Sequence, residues 1–324
     1  MQSFAGKRAV VTGGGSGMGR ELVVQLAAGG CSVATCDVSP AGLAETLGKA
    51  ESAAPPGTVI TTHRCDVSDE TQVLAFRDEV EQRHDGVVEL LFNNAGIGGG
   101  GSFINDSREE WERTFAVDFW GVYYCTRAFL PMLMAAESAY LVNTSSVNGF
   151  WAALGPGIPH TAYSTAKFAV KGFSEALIED LRVNAPHVKV AVVMPGHIGT
   201  DIVANSRRYL GRPEPDAMTE ADLEDTRAQF VRRGLPVADA PTDQVRGMIK
   251  VVEEMFRTTA PLDAAGAATE ILDGVRADRW RILVGDDARR LDENVRADPE
   301  TAYDHSKVNL SSLGLDRRDA PSGS

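Results

Sequence analysis

Short β-branched runs alternate with longer amphipathic segments along most of this chain, and that rhythm restricts the fold more than any other feature. Runs at 8–12, 32–36, 58–64, 87–92, 139–145 and 188–194 are interleaved with helical patterns at 17–29, 40–53, 69–84, 107–136 and 161–184. Such alternation spells βαβ units. Several of the runs are apolar almost throughout, as strands are when helices cover both faces of a parallel sheet. The expected fold is therefore α/β, with a doubly wound parallel sheet. After Met194 the rhythm changes, and 200–242, rich in Arg, Asp, Glu and Pro, reads as an excursion that is helical in part. Helices at 243–258 and 263–277 and a strand at 281–284 would then complete the sheet. No linker separates two cores, so one domain over 1–303 is expected, with a substrate-loop insertion and a C-terminal extension. The polar stretch 304–324 reads as a tail, disordered or held by a neighbouring subunit.

The first strand runs into Thr12-Gly13-Gly14-Gly15-Ser16-Gly17-Met18-Gly19 just where the pattern turns helical. Glycines there let the backbone approach a pyrophosphate, and the helix N-terminus offers unpaired N–H groups and a partial positive charge. The second strand ends at Asp37, where a carboxylate can accept hydrogen bonds from adenosine ribose hydroxyls. That carboxylate would repel a 2′-phosphate, and neither Val38 nor Ser39 offers a cation to attract one, so NAD is expected over NADP. Asp66-Val67 follows the third strand, where Asp66 either faces the adenine amino group or caps the next helix. Asn93-Asn94-Ala95-Gly96 follows the fourth strand and can hold the crevice open beside the cofactor. The glycine run at 98–101 suggests a mobile approach to the site.

Tyr163 and Lys167 lie four residues apart at the start of a helical pattern, on one face. A free phenol titrates near ~10, so a tyrosine base near neutrality asks for roughly 4 kcal/mol of preferential phenolate stabilisation. A neighbouring ammonium supplies part of it, and an oxidised nicotinamide ring would add a second positive charge. The preceding strand ends in Asn143-Thr144-Ser145-Ser146, at the carboxyl edge where ligands bind in such sheets. Ser146 is the candidate to hydrogen-bond a substrate oxygen, with Ser145 as the alternative.

In this joint order the glycine loop, Asp37, Asn93 to Gly96, Ser146, Tyr163 and Lys167 resemble the short-chain dehydrogenase/reductase family, in its single-domain branch with TGxxxGxG and YxxxK motifs. The resemblance covers about 5–200 and implies a Rossmann-like fold, with Gly13, Gly15, Ser16, Gly17, Met18, Gly19, Asp37, Val38, Asp66, Val67, Asn94, Ala95 and Gly96 along the dinucleotide. Pro195, Gly196, Ile198 and Thr200 fall where the family contacts the nicotinamide carboxamide. Tyr163 is then the general acid/base, Lys167 lowers its pKa and bonds the nicotinamide ribose, and Ser146 positions the carbonyl or alcohol. The chain departs from the family twice. Asp118 stands where the family carries an Asn that holds a water in a proton relay; an ionised Asp cannot donate, so its role is either catalytic in a rewired relay or structural. The interval from Ser146 to Tyr163 is also longer than usual, the excess falling in an apolar loop, 150–157, that would line the substrate pocket.

Phe150 and Trp151 in that loop, with Trp120, point to an apolar substrate, and His197 would join them on the pocket wall. His160 and His197 lack ligand-spaced companions, and the four scattered cysteines, Cys31, Cys36, Cys65 and Cys125, form neither a CxxC pair nor a disulfide pattern, so no metal is expected. A formal charge of −13 disfavours a nucleic-acid partner. No secretion signal opens the chain and no run is long enough to span a membrane, so a cytoplasmic, reducing location is expected. The expected reaction is hydride transfer between NAD and a secondary alcohol or ketone, in a homodimer or homotetramer built, as the resemblance implies, through the fourth and fifth helical segments. Two rivals remain: a dinucleotide-sensing binding protein without turnover, and an epimerase or dehydratase of the same family.

Overall fold

The computed structural model describes residues 1–83, 85–155, 158–232 and 235–304. The strands β1 (Arg8–Thr12), β2 (Ser32–Asp37), β3 (Ile60–Arg64), β4 (Leu90–Asn93), β5 (Ala139–Thr144) and β6 (Val188–Pro195) alternate with helices α1 (Gly17–Ala28), α2 (Pro40–Ala53), α3 (Glu70–Arg83), α4 (Arg108–Phe115), α5 (Gly121–Met134) and α6 (Thr161–Asn184). Beyond them come β7 (Ile198–Gly199), α7 (Ile202–Tyr209), α8 (Glu220–Arg232), α9 (Thr242–Thr258), β8 (Leu262–Asp263), α10 (Ala264–Arg276), β9 (Arg281–Val284) and α11 (Asp286–Ala297). Seven strands form one sheet in the order β3-β2-β1-β4-β5-β6-β9, every pairing parallel. The chain starts in the middle, winds out to β3, then crosses to β4 and winds the other way. This is the doubly wound Rossmann-like α/β fold expected from the alternation, and β7 and β8 form a separate two-stranded ribbon.

Period-two alternation explains how apolar strands serve two cores. Ala9 and Val11 of β1, Leu90 and Phe92 of β4, and Tyr140 and Val142 of β5 face a cluster shared with α1 and α10. Val10, Leu91, Ala139 and Leu141 face the opposite cluster, shared with α3, α5 and α6. Capping fixes where helices begin: Ser39 accepts from the Gly42 amide ahead of Pro40, and Asp263 does the same for Gly266 in α10.

Two readings are revised. The pattern at 107–136 promised one helix, but a π-helical turn, Ala116–Trp120, separates α4 from α5. A π turn adds a residue to the coil and re-aims side chains, and here it leaves Val117 and Asp118 buried. The helix α11 was not anticipated, because the apolar residues of DDARRLDENVRA are few and its buried face is half acidic; it buries Asp287, Ala288, Leu291 and Asp292. Within the excursion, α7 and α8 supply the expected helical content. Of the expected tail only Asp304 is described; 305–324 lie outside the described residues, as do Pro156 and Gly157 of the apolar loop. No described helix is long and apolar enough to cross a membrane.

Candidate active site

A cleft of about 380 Å³ opens at the carboxyl edge of β1, β2, β3 and β4, the edge where open α/β sheets bind ligands. One wall is Gly13, Gly15, Ser16, Gly17, Met18 and Gly19. Asp37, Val38, Asp66 and Val67 line the far end, and Asn94, Ala95 and Gly96 the near end. Backbone geometry demands glycine here. Gly13 has φ +70, and a Cβ on it would lie 2.7 Å from the Ala95 Cα; a Cβ on Gly15 would lie 2.7 Å from the Asp37 carboxyl carbon.

Asp37 is held rather than free: its carboxylate accepts from the Gly15 amide at 2.9 Å and the Ser39 amide at 2.9 Å. This fixes the carboxylate at the lip of the cleft. Thr12 Oγ1 accepts from the Asn94 and Ala95 amides at 3.0 and 3.1 Å, tying the loop after β4 to the end of β1. Deeper in, Asn93 donates to Asn143 Oδ1 at 2.8 Å, and Asn143 donates to Ser174, cross-linking β4, β5 and α6.

The cavity suits a dinucleotide on three observations. Its glycines pack so closely on Ala95, Asp37 and the Gly13 carbonyl that no Cβ fits, which holds the loop tight against the strand ends and leaves backbone facing the cleft. The first turn of α1 receives no side-chain cap, leaving its N–H groups toward the cleft. Asn94 Oδ1 is buried beside the loop without a hydrogen-bond partner among the described residues, where a ligand donor would satisfy it.

The cleft ends at Gly96, and there the chemical centre begins: a Cβ on Gly96 would lie 2.7 Å from Asp118 Oδ1 and 3.2 Å from Lys167 Nζ. Lys167 Nζ is 3.2 Å from Asp118 Oδ1, with the two side chains 3% and 0% exposed, and it also donates to the Thr144 carbonyl at 3.2 Å. The ammonium lies 5.4 Å from the centre of the Tyr163 ring. On the other side, His160 stacks on Tyr163 with ring centres 4.5 Å apart. The two candidate serines separate: Ser145 Oγ donates to the Lys167 carbonyl at 2.7 Å and is spent on helix α6, whereas Ser146, whose Oγ accepts from the Asn148 amide at 3.1 Å, is the one whose hydroxyl bears on the Tyr163 phenol.

Electrostatics at the centre differ from the expectation for Tyr163. Burial pushes its phenol up; Lys167 and the Ser146 hydrogen bond pull it down, while the Asp118 carboxylate pushes it up again, and the net direction is up. The cation is thus present at the expected spacing but is outweighed. For Lys167, burial opposes the charge, yet Asp118 and Tyr163 prevail and its pKa is raised, so the ammonium stays charged. Burial pushes Asp118 up to about 6 against the pull of Lys167 and the Ile97 amide.

Other expected residues sit elsewhere. Trp151, placed on the substrate wall by its sequence, is 2% exposed and packs with Leu291 and Ala302. Its indole N–H donates to the Ala302 carbonyl at 2.7 Å, so the ring anchors the C-terminal extension. Phe150 packs in the same cluster. The His197 ring bonds the Phe256 carbonyl of α9, its backbone amide donates to Asp287, and it lies outside the cleft lining. Of the segment after β6, Thr200 reaches the cleft; Pro195 pairs with Val284 of β9, Gly196 abuts Asp287, and Ile198 is in the core.

Sequence reasoning missed Asn205, Arg208 and Tyr209 of α7, which form the outer wall of the cleft. Asn205 donates to Ser16 Oγ at 3.0 Å, Ser206 accepts from the Gly98 amide at 2.7 Å, and the Tyr209 hydroxyl bonds both Asp66 oxygens at 3.1 and 2.9 Å. One short helix is thereby stitched to the loops after β1, β3 and β4. Only the spacing Asn205, Ser206, Tyr209 on one helical face could have signalled it.

The short chain dehydrogenase family model matches residues 7–210. SadH of Mycobacterium tuberculosis, an oxidoreductase by name, is 37% identical over 294 residues, spanning 90% of this chain and 91% of its own. A crystal structure of a short chain dehydrogenase/reductase from Burkholderia phymatum in complex with NAD has a TM-score of 0.71 at 29% identity, covering 92% of this chain and 96% of that one. A metagenomic short-chain oxidoreductase in complex with NADP has a TM-score of 0.53 at 30% identity, covering 60% of this chain and 83% of that one.

Proposed function

The chain belongs to the short-chain dehydrogenase family and is an oxidoreductase, and from that premise we propose that it transfers hydride between NAD and a secondary alcohol or ketone. The observation that carries this reading is the contiguity of the glycine-walled cleft with the Ser146, Tyr163 and Lys167 cluster, joined at Gly96. A nicotinamide dinucleotide bound in the cleft supplies the hydride chemistry. The chain's own residues do the rest. The α1 N-terminus receives the pyrophosphate, Asp37 receives the ribose hydroxyls, and Thr200 closes the cleft near the nicotinamide end. Ser146 orients the substrate oxygen, and Tyr163 gives or takes its proton.

The preference for NAD rests on Asp37, whose carboxylate at the lip would repel a 2′-phosphate. Arg20 does not offset it, being turned to Glu45 and to the Gly15 carbonyl. With Phe150 and Trp151 committed to the C-terminal cluster, their sequence no longer argues for an apolar substrate. The proposed unit is one domain over 1–303, cytoplasmic, and a homodimer or homotetramer. Support for the assembly is an aromatic ladder along α4, α5 and α6, in which Trp120, 42% exposed, contacts Phe119, Tyr123 and Tyr124.

Tyr163→Phe tests the reading. Turnover of secondary alcohols or ketones, followed at the nicotinamide absorbance, should fall by roughly 10²–10⁴-fold, the worth of a positioned acid/base, while NADH binding followed by fluorescence persists. Unchanged turnover would refute the assignment. A wild-type chain that binds NADH but turns over no alcohol or ketone would favour a sensing role.

A further inference from the structure

Asp118 is buried completely, yet only one of its oxygens is satisfied. Oδ1 accepts from the Ile97 amide at 3.1 Å and pairs with Lys167 Nζ at 3.2 Å; Oδ2 has no hydrogen-bond partner among the described residues. An unsatisfied oxygen on a buried carboxylate is costly, and an Asn of the same shape would avoid burying a charge. The π turn holds the carboxylate in this position, and Gly96 leaves room for it, since a Cβ there would collide with Oδ1. Among the described residues the ionisable groups that bear on it are Lys167 and Tyr163, both from α6, with the Ile97 amide from the loop after β4; the His160 imidazole, just ahead of α6, stacks on the Tyr163 ring.

A phenolate at Tyr163 next to a bare ammonium would be strongly favoured. Next to an ion pair it is less so, because the carboxylate cancels part of the field of the ammonium at the phenol oxygen. We propose that Asp118 is a positioning residue that neutralises Lys167 and so keeps Tyr163 a phenol, making the centre a proton donor suited to carbonyl reduction at neutral pH. This rests on Tyr163 being the acid/base of the proposed function and adds its working direction. In that direction Tyr163 gives its proton to the substrate oxygen as hydride from the reduced nicotinamide reaches the carbonyl carbon. The carbonyl is reduced, the dinucleotide oxidised, and water returns a proton to the phenolate. The overall equilibrium is untouched; the pH at which each direction runs fastest is what Asp118 sets.

Burial is the largest cause of the raised Tyr163 phenol; on top of it Lys167 acts to lower it and Asp118 to raise it again, the sign that the proposal requires of the carboxylate. The test is a tyrosinate-absorbance titration of the cofactor-free chain, with the Tyr163→Phe titration subtracted so that only this phenol is read. In Asp118→Asn its midpoint should fall by about one pH unit, giving about tenfold more phenolate at a pH below the midpoint. The rising limb of kcat/KM for alcohol oxidation should move to lower pH by the same amount. Asp118→Glu, which keeps the charge, should retain the high midpoint. If Asp118→Asn does not fold, Asp118→Ser removes the same charge and carries the same expectation. A Tyr163 midpoint unmoved in the uncharged variants, or lowered as much by Glu as by Asn, overturns the inference. Full turnover in Tyr163→Phe would instead overturn the reading beneath it, so the two failures are distinguishable.

Discussion

At the lip of the cleft, Asp37 meets two backbone amides, from Gly15 and Ser39, and stays partly exposed; in the π turn, Asp118 is sealed from solvent with one oxygen satisfied and the other without a partner among the described residues. The two carboxylates stand at opposite ends of one site and are held in opposite ways. The chain's β2 edge supplies donors in fixed directions, which suits a group whose task is recognition. The reaction end withholds donors, so the charge of Asp118 is answered chiefly by Lys167. A satisfied, solvated carboxylate contributes locally; an under-satisfied buried one acts through its neighbours.

The largest consequence concerns that buried pair. Lys167→Ala leaves Asp118 without its counter-charge, and removing one partner of a buried ion pair costs about 3–5 kcal/mol. The melting temperature should drop sharply and turnover with it. The pH dependence has a definite sign. An acid whose folded pKa is raised binds its proton more tightly when folded than unfolded, so stability rises as pH falls from neutral toward the unfolded carboxylate range. With Asp118 already pushed up to about 6 and the variant pushing it further, Lys167→Ala should recover stability on acidification. Melting curves across pH check this, and a deficit that does not vary with pH would remove Asp118 as its source.

The satisfied carboxylate predicts a smaller and different loss. Asp37→Ala removes the ribose acceptor, worth about 1.5 kcal/mol for a charged hydrogen bond, so NADH affinity should fall roughly tenfold. Thermal stability should change far less than in Lys167→Ala, and the preference for NADH over NADPH should shrink as the repelling charge goes. Calorimetric titration with both nucleotides measures this; an unchanged preference would show that Asp37 does not face the ribose.

These two ends were not equally legible. Strands 8–12 and 281–284 and helix 161–184 coincide with the observed elements because apolar periodicity is strong where helices cover a sheet, and the glycine loop, Asp37 and the Tyr163–Lys167 spacing are local signals. Local signals do not carry tertiary choices. Asp118 could be recognised as unusual, yet its pairing with Lys167 depends on a π turn that the 107–136 pattern conceals. Trp151 read as a pocket residue because an aromatic loop near the centre has no partner in sequence; its partner, Ala302, lies at the far end of the chain. The polar α11 offered only a narrow apolar stripe, Ala288, Leu291 and Val295, since the residues it buries include Asp287 and Asp292, the first holding the His197 amide and the second paired with Arg281.

The smallest effect comes from a third carboxylate, Asp66, which sharpens the contrast. Like Asp37 it sits at the adenosine end and is well supplied, accepting from the Ser68 amide and hydroxyl at 3.0 and 2.7 Å. Unlike Asp37 it also accepts from Tyr209 of α7, a residue that sequence did not place here. If Asp66 receives the adenine amino group, Tyr209 competes for it, and Tyr209→Phe removes the competitor at the cost of one hydrogen bond, a net change of about 0.5–1.5 kcal/mol. Dinucleotide affinity should therefore rise by a few-fold in Tyr209→Phe, and the gain should appear equally with ADP-ribose, which carries the adenine, and vanish with nicotinamide mononucleotide, which does not. A weaker affinity for ADP-ribose would mean that the Tyr209 hydroxyl helps to hold the nucleotide, and Asp66 would then be a helix-capping carboxylate whose partner closes the cleft.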